Sequence, residues 1–274
     1  MANKAPDVPS PIPLSFASRR EVHEEIVDRI RHQRGGLIVT VNTSIARQIS
    51  RGGTPYPRDK VVMWTADGKP LMWIARLEGS PRLERITGAD LMLELPRSIA
   101  RSSPDTPICV LGRGGEEASQ VLARQNPTLK FSGGDLPSAD GASKAMISAA
   151  LAQLPKTPAI VLVGLGYPKQ EILSCELLNR RPDCIFIGTG AAAQFASGQI
   201  RRAPLAVQRA GFEWLWRLAS EPKRLAVRYL ANDLPWFIVR CLKGLKARLL
   251  QGVKPFRAQP KTENHQVPND DPES

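Results

Sequence analysis

The order of apolar segments is the feature that most constrains the fold of this chain. From residue 36 onward, short continuous apolar runs alternate with longer segments of helical composition. The six runs are GLIVTVN (36–42), VVMWTA (61–66), PICVLG (107–112), TLKFSG (128–133), AIVLVG (159–164) and CIFIG (184–188). Continuous apolar runs are typical of parallel strands that are covered on both faces. The pattern predicts an α/β fold with a Rossmann-like, mostly parallel sheet flanked by helices.

Helices are predicted between most of these strands. They fall at 43–50, 68–78, 88–101, 115–125, 141–153 and 168–180. The composition changes after residue 200, where the chain becomes helical, basic and rich in tryptophan. We therefore expect an α/β core over 1–200, a basic helical appendage over 201–257, and a disordered polar tail over 258–274.

Composition argues against several classes of protein. The first fifteen residues contain no apolar core of a signal peptide, and 18 apolar residues never run together. The expected location is therefore the cytoplasm. The four cysteines are far apart, with no CxxC pair and no adjacent histidine, so they are interpreted as reduced thiols rather than zinc ligands. No metal and no cofactor are expected.

Positive charge is concentrated in the appendage. The chain has a net charge of +12, and residues 201–257 carry 13 Lys/Arg against 3 Asp/Glu. This excess predicts an anionic partner: a phosphate, a lipid headgroup or a nucleic acid. In its last part, Leu234, Ile238, Leu242, Leu245 and Leu249 follow helical spacing. Such a helix is typical of a membrane surface, and equally of a helix docked on the core.

Glycine-rich turns follow three of the predicted strands. In parallel sheets, ligands bind beyond the carboxyl ends of the strands. Glycine there allows the backbone to approach a phosphate closely. The candidate binding residues in these turns are Gly112, Gly114, Gly164, Gly166, Lys169, Gln170 and Gly190. The turn in VGLGYPKQE (163–171) lacks the third glycine of a dinucleotide fingerprint, so it is also explained by a tight strand-to-helix turn with Pro168 at the first helical position.

Several charged residues are candidates for chemistry. Asp67 lies in TADG, directly after a predicted strand, where it suits either a general base or a cap of the next helix. Arg85 suits either a phosphate ligand or a solvated charge. Arg217, Arg224 and Arg228 are separated by seven and then four residues, which predicts one face of a helix that is suited to phosphate or is simply solvated.

Three long strings carry a family resemblance. They are VGLGYPKQE, GTGAAAQFASGQIRRAP and GFEWLWRLASEPKRLAVRY, and weaker matches fall at TVN (40–42), ADG (66–68) and RITGADL (85–91). Over roughly residues 30–232 the chain resembles the WecG/TagA/CpsF family of bacterial glycosyltransferases, glycosyltransferase family 26. The resemblance implies inverting transfer of a hexose-type sugar from a UDP-sugar to a polyprenyl-diphosphate-linked saccharide, in the synthesis of surface polysaccharide or exopolysaccharide.

The resemblance also implies roles for particular residues. Asp67 is similar to the family's catalytic base, and Thr40, Asn42, Arg85 and Gln170 resemble active-site residues around donor and acceptor. Arg217, Arg224 and Arg228 resemble arginines that the appendage brings to a diphosphate. The expected partners are a UDP-sugar, a lipid-linked acceptor, the anionic inner face of the cell membrane, and a second copy of the chain if it oligomerises.

The chain departs from the family pattern at three positions. Gln194 stands where the family usually has aspartate, Val227 replaces a basic residue, and Lys69 replaces an apolar one. Two other interpretations stay open: a non-catalytic nucleotide-binding regulator and a nucleic-acid-binding module. The second leaves the glycine turns and Asp67 unused, and we expect no nucleic-acid partner. No Asp-x-Asp pair occurs in the chain, so transfer is expected to need no metal.

Overall fold

The computed structural model describes residues 18–54, 56–78, 83–137 and 142–251, and the side chains of Arg224, Ala247, Leu250 and Gln251 lie outside this description. Its central element is a six-stranded sheet in the order β2-β1-β6-β5-β3-β4, parallel throughout. The strands are β1 Gly36–Val41, β2 Val61–Ala66, β3 Ile108–Gly112, β4 Phe131–Gly134, β5 Ile160–Gly164 and β6 Ile185–Gly188. Each overlaps one predicted run, so the α/β fold is confirmed.

Eight helices of the described chain belong to the predicted core. They are α1 Arg19–Arg31, α2 Thr43–Ser50, α3 Lys69–Leu77, α4 Gly88–Ser102, α5 Gly115–Gln125, α6 Lys144–Gln153, α7 Lys169–Leu178 and α8 Ala192–Ala196, with a 3-10 turn at Arg58–Lys60. Helix α1 was not predicted. It begins with a capping box in which Ser18 and Glu21 satisfy each other's backbone amides.

The helices cover both faces of the sheet, which explains the continuous apolar runs. Helices α2, α3, α6 and α7 pack on one face together with Leu37 and Val39, and α1, α4, α5 and α8 pack on the other together with Ile38. The helices that follow β1 and β6, neighbours in the sheet, therefore leave in opposite directions. A crevice opens between the carboxyl ends of two such strands, and that is where ligands bind in this class of fold.

The appendage is helical and docks on the core. Its elements are α9 Leu205–Ala210, α10 Glu213–Ser220, α11 Pro222–Ala226, a π-helix Val227–Asp233 and α12 Leu234–Gln251. Trp236 of α12 donates a hydrogen bond of 2.9 Å to the Ser50 hydroxyl, and Arg240 forms an ion pair with Glu78. At Gly244 a methyl group would lie 3.0 Å from the Leu77 Cβ, a tight contact, so glycine favours this close approach to α3.

The opposite face of α12 is apolar and exposed. The spaced residues Leu234, Ile238, Leu242, Leu245 and Leu249 are all solvent-accessible, from 37% at Leu234 to 79% at Leu249. The docking interpretation therefore holds for one face of the helix, and the other face remains uncovered. No helix in the described part of the chain is long and apolar enough to span a bilayer. The predicted tail 258–274 lies outside the described residues, and the domain boundary at 200 stays a prediction.

Candidate functional site

A cavity of about 570 Å³ lies at the carboxyl edge of the sheet, beside the crevice between β1 and β6. The core contributes the turns that follow β1, β2, β5 and β6, and the appendage contributes residues of α10, the π-helix and the start of α12. Of the predicted site residues, those that line it are Thr40, Asn42, Asp67, Gly164, Gly166, Lys169, Gln170, Gly190, Arg217 and Arg228. The appendage therefore forms part of the wall of one shared site.

Asp67 lies directly after the carboxyl end of β2. Its backbone N–H donates to Val41 O at 2.7 Å, and Gly68, with φ of +115°, turns the chain into α3. Among the described residues, no hydrogen bond is made by the Asp67 carboxylate, which lines the cavity half-buried. The alternative role as a cap of α3 has no geometric support, because the cap residue is Gly68 and no side chain caps the helix.

The surroundings of Asp67 raise the pKa of its carboxyl group to about 7. Burial is the main cause, and the negative charge of Glu213 adds to it, while Arg85 and Arg217 act in the opposite direction. A carboxyl group with a pKa near neutrality is suited to accept a proton at physiological pH. The site therefore contains a group with the geometry and the pKa of a general base.

Arg85 lies behind Asp67 rather than in the cavity wall. The backbone at Arg85 bridges Ala66, and Ile86 N donates to Ala66 O at 2.8 Å, which brings this segment alongside the end of β2. The guanidinium lies 3.5 Å from Asp90 and 3.4 Å from Glu213. Both carboxylates hold Arg85 in place beside the candidate base.

Asp90 and Arg202 complete this charge cluster. Arg202 lies 2.8 Å from Asp90 and 3.3 Å from Glu213, so the two arginines and two carboxylates alternate. Burial acts to raise the pKa of Asp90, but the hydrogen bond and charge of Arg202, with Arg85, hold it below its usual range. Sequence reasoning missed Asp90, Arg202 and Glu213 as site residues, although all three lie inside the quoted family strings.

The residues at the end of β1 also take structural roles. The Thr40 hydroxyl, 3% exposed, donates to Gly188 O of β6 at 2.7 Å and so ties the two strands that flank the crevice. The Asn42 side chain caps α2 by accepting from Ile45 N at 3.1 Å. Both residues also line the cavity.

Gln170 joins two glycine turns. Its side-chain oxygen accepts from the N–H groups of Gly166 at 3.2 Å and Gly190 at 3.0 Å. Its amide nitrogen donates to Glu171 at 2.7 Å. A methyl group at Gly188 would come within 2.5 Å of that nitrogen, so this glycine makes room for the Gln170 amide. The glycine turn in VGLGYPKQE therefore binds the side chain of its own glutamine, Gln170.

This bridge changes the expected role of the glycine amides. Phosphate binding by glycine turns requires free N–H groups. The N–H groups of Gly166 and Gly190 are occupied by Gln170, and that of Gly115 donates to Asp135 at 3.0 Å.

The start of α7 differs by one residue from the prediction. Pro168 is the residue before this helix rather than its first residue.

Gly112 and Gly114 are not among the residues that line the cavity. A methyl group at Gly112 would lie 2.6 Å from Gly164 O, because the two strands converge there. Gly114 adopts a left-handed conformation at the start of α5. Backbone crowding and turning explain why the chain has glycine at these two positions, and contact of either glycine with a substrate stays a prediction.

The appendage arginines reach the cavity from separate helices. Arg217 lies on α10 and its guanidinium is 5.9 Å from the centre of the Phe195 ring. Arg228 lies on the π-helix and donates to the Ser44 hydroxyl at 2.7 Å. The prediction of one continuous helical face is wrong, because the helix breaks at Glu221 before Pro222, which disfavours helical geometry in the residue before it. The Arg224 side chain lies outside the described residues.

Arg228 is fixed by a buried carboxylate that sequence reasoning missed. Asp233, 5% exposed, accepts from Arg47 at 3.1 Å and from Ser44, and lies 3.8 Å from Arg228. This network joins the π-helix to α2. Its members are distant in sequence, and only the fold reveals their proximity.

The three departures from the family pattern lie in different environments. Gln194 lines the cavity, Val227 is exposed on the π-helix, and Lys69 packs beside Gly211 of the appendage. Only the first is placed to contact a bound ligand directly. Among the described residues, no three His, Cys, Asp or Glu side chains come together as a metal site.

A parallel α/β sheet with a charged cavity at its carboxyl edge is typical of Rossmann-like proteins that bind a ligand at that edge. Comparison with known proteins gives the particular group. The family described as "Glycosyl transferase WecG/TagA/CpsF family" matches residues 11–250, and the chain therefore belongs to this family of glycosyltransferases. A relative from Bacillus spizizenii is 29% identical over 222 residues, covering 78% of this chain and 81% of its own length. It is named N-acetylglucosaminyldiphosphoundecaprenol N-acetyl-beta-D-mannosaminyltransferase.

Proposed function

We propose that the protein is an inverting, metal-independent glycosyltransferase that moves a sugar from a UDP-sugar to a saccharide linked to polyprenyl diphosphate. The free Asp67 carboxylate, raised to a pKa of about 7 in the cavity wall, is the observation that carries this proposal. The name of the Bacillus relative supports the acceptor class, since that enzyme acts on a sugar joined to undecaprenol through diphosphate. The pathway would be synthesis of a bacterial surface polysaccharide or exopolysaccharide.

The proposed step moves one proton and exchanges one bond. Asp67 accepts the proton of the acceptor hydroxyl as that oxygen attacks the anomeric carbon of the donor. The bond from this carbon to the UDP oxygen breaks, and its electron pair leaves with UDP. Attack from the face opposite the leaving group inverts the configuration. General-base assistance of this kind contributes about 10²–10⁴-fold to rate.

The leaving diphosphate needs positive charge. The chain has no Asp-x-Asp pair of the kind that holds a metal in many nucleotide-sugar enzymes. Arg217 and Arg228 line the cavity and supply two guanidinium groups there. Preorganised arginines stabilise charge that develops on a leaving group. We infer that they replace the metal, and EDTA should leave transfer unchanged. Loss of turnover in EDTA with recovery on adding manganese would contradict this.

The acceptor is insoluble in water, so we infer that the protein works at the inner face of the cell membrane. Exposed large apolar residues concentrate in the appendage, in α9, α10, the π-helix and α12. Lys243, Lys246 and Arg248 are exposed beside the apolar face of α12. This combination is typical of helices that lie in a membrane surface.

The central experiment compares Asp67→Asn with wild type, using a UDP-sugar panel and an N-acetylglucosaminyl-diphospho-lipid acceptor. Transfer should fall by about 10²–10⁴-fold while UDP raises the melting temperature of both proteins equally. Asp105→Asn, at an exposed turn position, is the matched control and should retain full activity. Near-normal transfer by Asp67→Asn would show that the base lies elsewhere. UDP binding without transfer of any sugar would favour the nucleotide-binding regulator.

A further inference from the structure

The charge cluster behind Asp67 joins the appendage to the core. Glu213 of α10 lies 3.4 Å from Arg85 and 3.3 Å from Arg202. Asp90 of α4 lies 3.5 Å and 2.8 Å from the same two arginines. Each arginine therefore has a carboxylate from the core and a carboxylate from the appendage.

Asp67 lies among these charges without sharing in their pairing. The charged groups that face it are Arg85, Asp90, Glu213 and Arg217. Arg85 directs one terminal nitrogen to Glu213 and the other to Asp90. The Asp67 carboxylate makes no hydrogen bond within the described residues. The arginine that lies beside the candidate base is thus held by two other acids.

We propose that Glu213 is a positioning residue: by holding Arg85, it prevents an Arg85–Asp67 ion pair and leaves the Asp67 carboxylate free to accept a proton. This inference rests on the role of Asp67 proposed above. Glu213 itself does not touch the reacting atoms in this scheme. Its effect reaches the reaction through the position of one guanidinium group.

The location of Glu213 couples base activity to docking of the appendage. In the docked state, burial and the charge of Glu213 hold the pKa of Asp67 at about 7. Without Glu213, Arg85 loses one of its two partners and can turn toward Asp67. A carboxylate paired with arginine has its pKa lowered by about 1–3 units and is a weaker base. The base is therefore fully active only when α10 closes the cavity.

The test is a double-mutant cycle that measures the titration of Asp67 directly. Proteins labelled with ¹³C at the aspartate carboxyl carbon are titrated, and the Asp67 signal is assigned by its loss in Asp67→Asn. Glu213→Gln should lower the Asp67 midpoint by about one pH unit or more. In an Arg85→Gln background the same change should lower it by less than half as much, because the guanidinium that Glu213 holds away from Asp67 is then absent.

Two controls keep the outcome clear. Glu84→Gln removes an acid that pairs with Arg19 at 3.4 Å and does not face Asp67, and it should leave the midpoint unchanged. Glu213→Asp keeps the charge and should give a smaller shift, which serves if Glu213→Gln does not fold. An unchanged midpoint in Glu213→Gln overturns the proposal, and so do equal shifts with and without Arg85. Because the readout needs no turnover, these results are independent of whether Asp67 proves to be the base.

Discussion

Among the described residues, two carboxyl groups have a pKa raised to about 7, and their surroundings differ. Burial is the main cause for both Asp67 and Glu171. Asp67 opens into the cavity and has no hydrogen-bond partner among the described side chains, so it can exchange a proton with a ligand. Glu171 is fully buried and accepts a hydrogen bond from Gln170. The same pKa therefore belongs to a cavity-facing candidate base in one case and to a group buried in the core in the other.

The raised pKa of Asp67 predicts a cost in stability. The folded protein keeps the Asp67 proton up to about pH 7, whereas the unfolded chain loses it near pH 4. The free energy of unfolding contributed by this group therefore falls as pH rises from about 4 to 7, and stays low above 7. Asp67→Asn should raise the melting temperature at pH 8 by roughly 2–6 °C, and by much less at pH 5. Calorimetry at both pH values measures this, and a variant that is less stable at pH 8 contradicts it.

At the scale of elements, the turns after β5 and β6 behave as one unit. The Gln170 side chain connects them through Gly166 and Gly190, and Glu171 fixes which way the Gln170 amide points. Both turns line the cavity. The shape of this wall therefore depends on two adjacent side chains at the start of α7.

An exchange of the two side chains tests this bridge. Gln170→Glu keeps an oxygen for the two glycine N–H groups but places a second carboxylate against Glu171, so melting temperature and UDP affinity should both fall. The double variant Gln170→Glu/Glu171→Gln restores one amide and one carboxylate, and should recover most of both losses. Thermal denaturation and calorimetric titration with UDP provide the measurements. Additive losses in the double variant would show that the two side chains do not act together.

A second prediction at this scale concerns Asp233, whose side chain joins the π-helix to α2. Asp233→Ala leaves Arg47 buried without its carboxylate, and removal of one partner of a buried pair costs about 3–5 kcal/mol. Arg228 also loses a neighbour, so the rate of transfer should fall more than the affinity for UDP. Asp183→Asn, which breaks the more exposed pair with Arg181, should cost below about 1 kcal/mol. Equal stability of the two variants in urea denaturation would contradict this role of Asp233.

The elements were largely predictable from the sequence, and the site only partly. Strands that are buried on both faces require continuous apolar runs, so all six strands were predicted. Parallel strands bring the residues that follow them to one edge of the sheet, and this rule predicted that Asp67 and Gln170 lie at the same site. Helix α1 was missed, although the Ser18–Glu21 capping box is its local signal. The partnership of Glu213 with Arg85 spans 128 residues and has no periodicity that a sequence could show. The prediction of one continuous helical face for the three arginines was wrong because the helix is interrupted before Pro222.

At the scale of the whole molecule, two properties are concentrated in the same segment. The segment 201–257 carries 13 basic residues against 3 acidic ones. Exposed large apolar residues cluster in the described part of this segment, and outside the segment Leu93 is the one such side chain found in the described residues. Charge attracts a protein to an anionic bilayer, and apolar side chains hold it there. One segment of the chain therefore carries both properties suited to a membrane surface, and residues of its helices also line the cavity.

The apolar face of α12 allows a test of membrane binding with a matched control. Each leucine moved from water into the bilayer contributes about 1.5–3 kcal/mol, and each basic residue near an anionic surface about 1 kcal/mol. Leu242→Asp/Leu245→Asp should therefore abolish cosedimentation with vesicles of anionic phospholipid. The control Leu93→Asp, which changes an exposed leucine on α4, should not. Wild-type binding should weaken as salt rises, because the attraction is screened. The double variant should keep its melting temperature and UDP affinity, since both leucines point away from the core. The proposal that this face binds the membrane is wrong if the double variant cosediments with vesicles as wild type does. It is also wrong if wild type does not bind anionic vesicles at low salt.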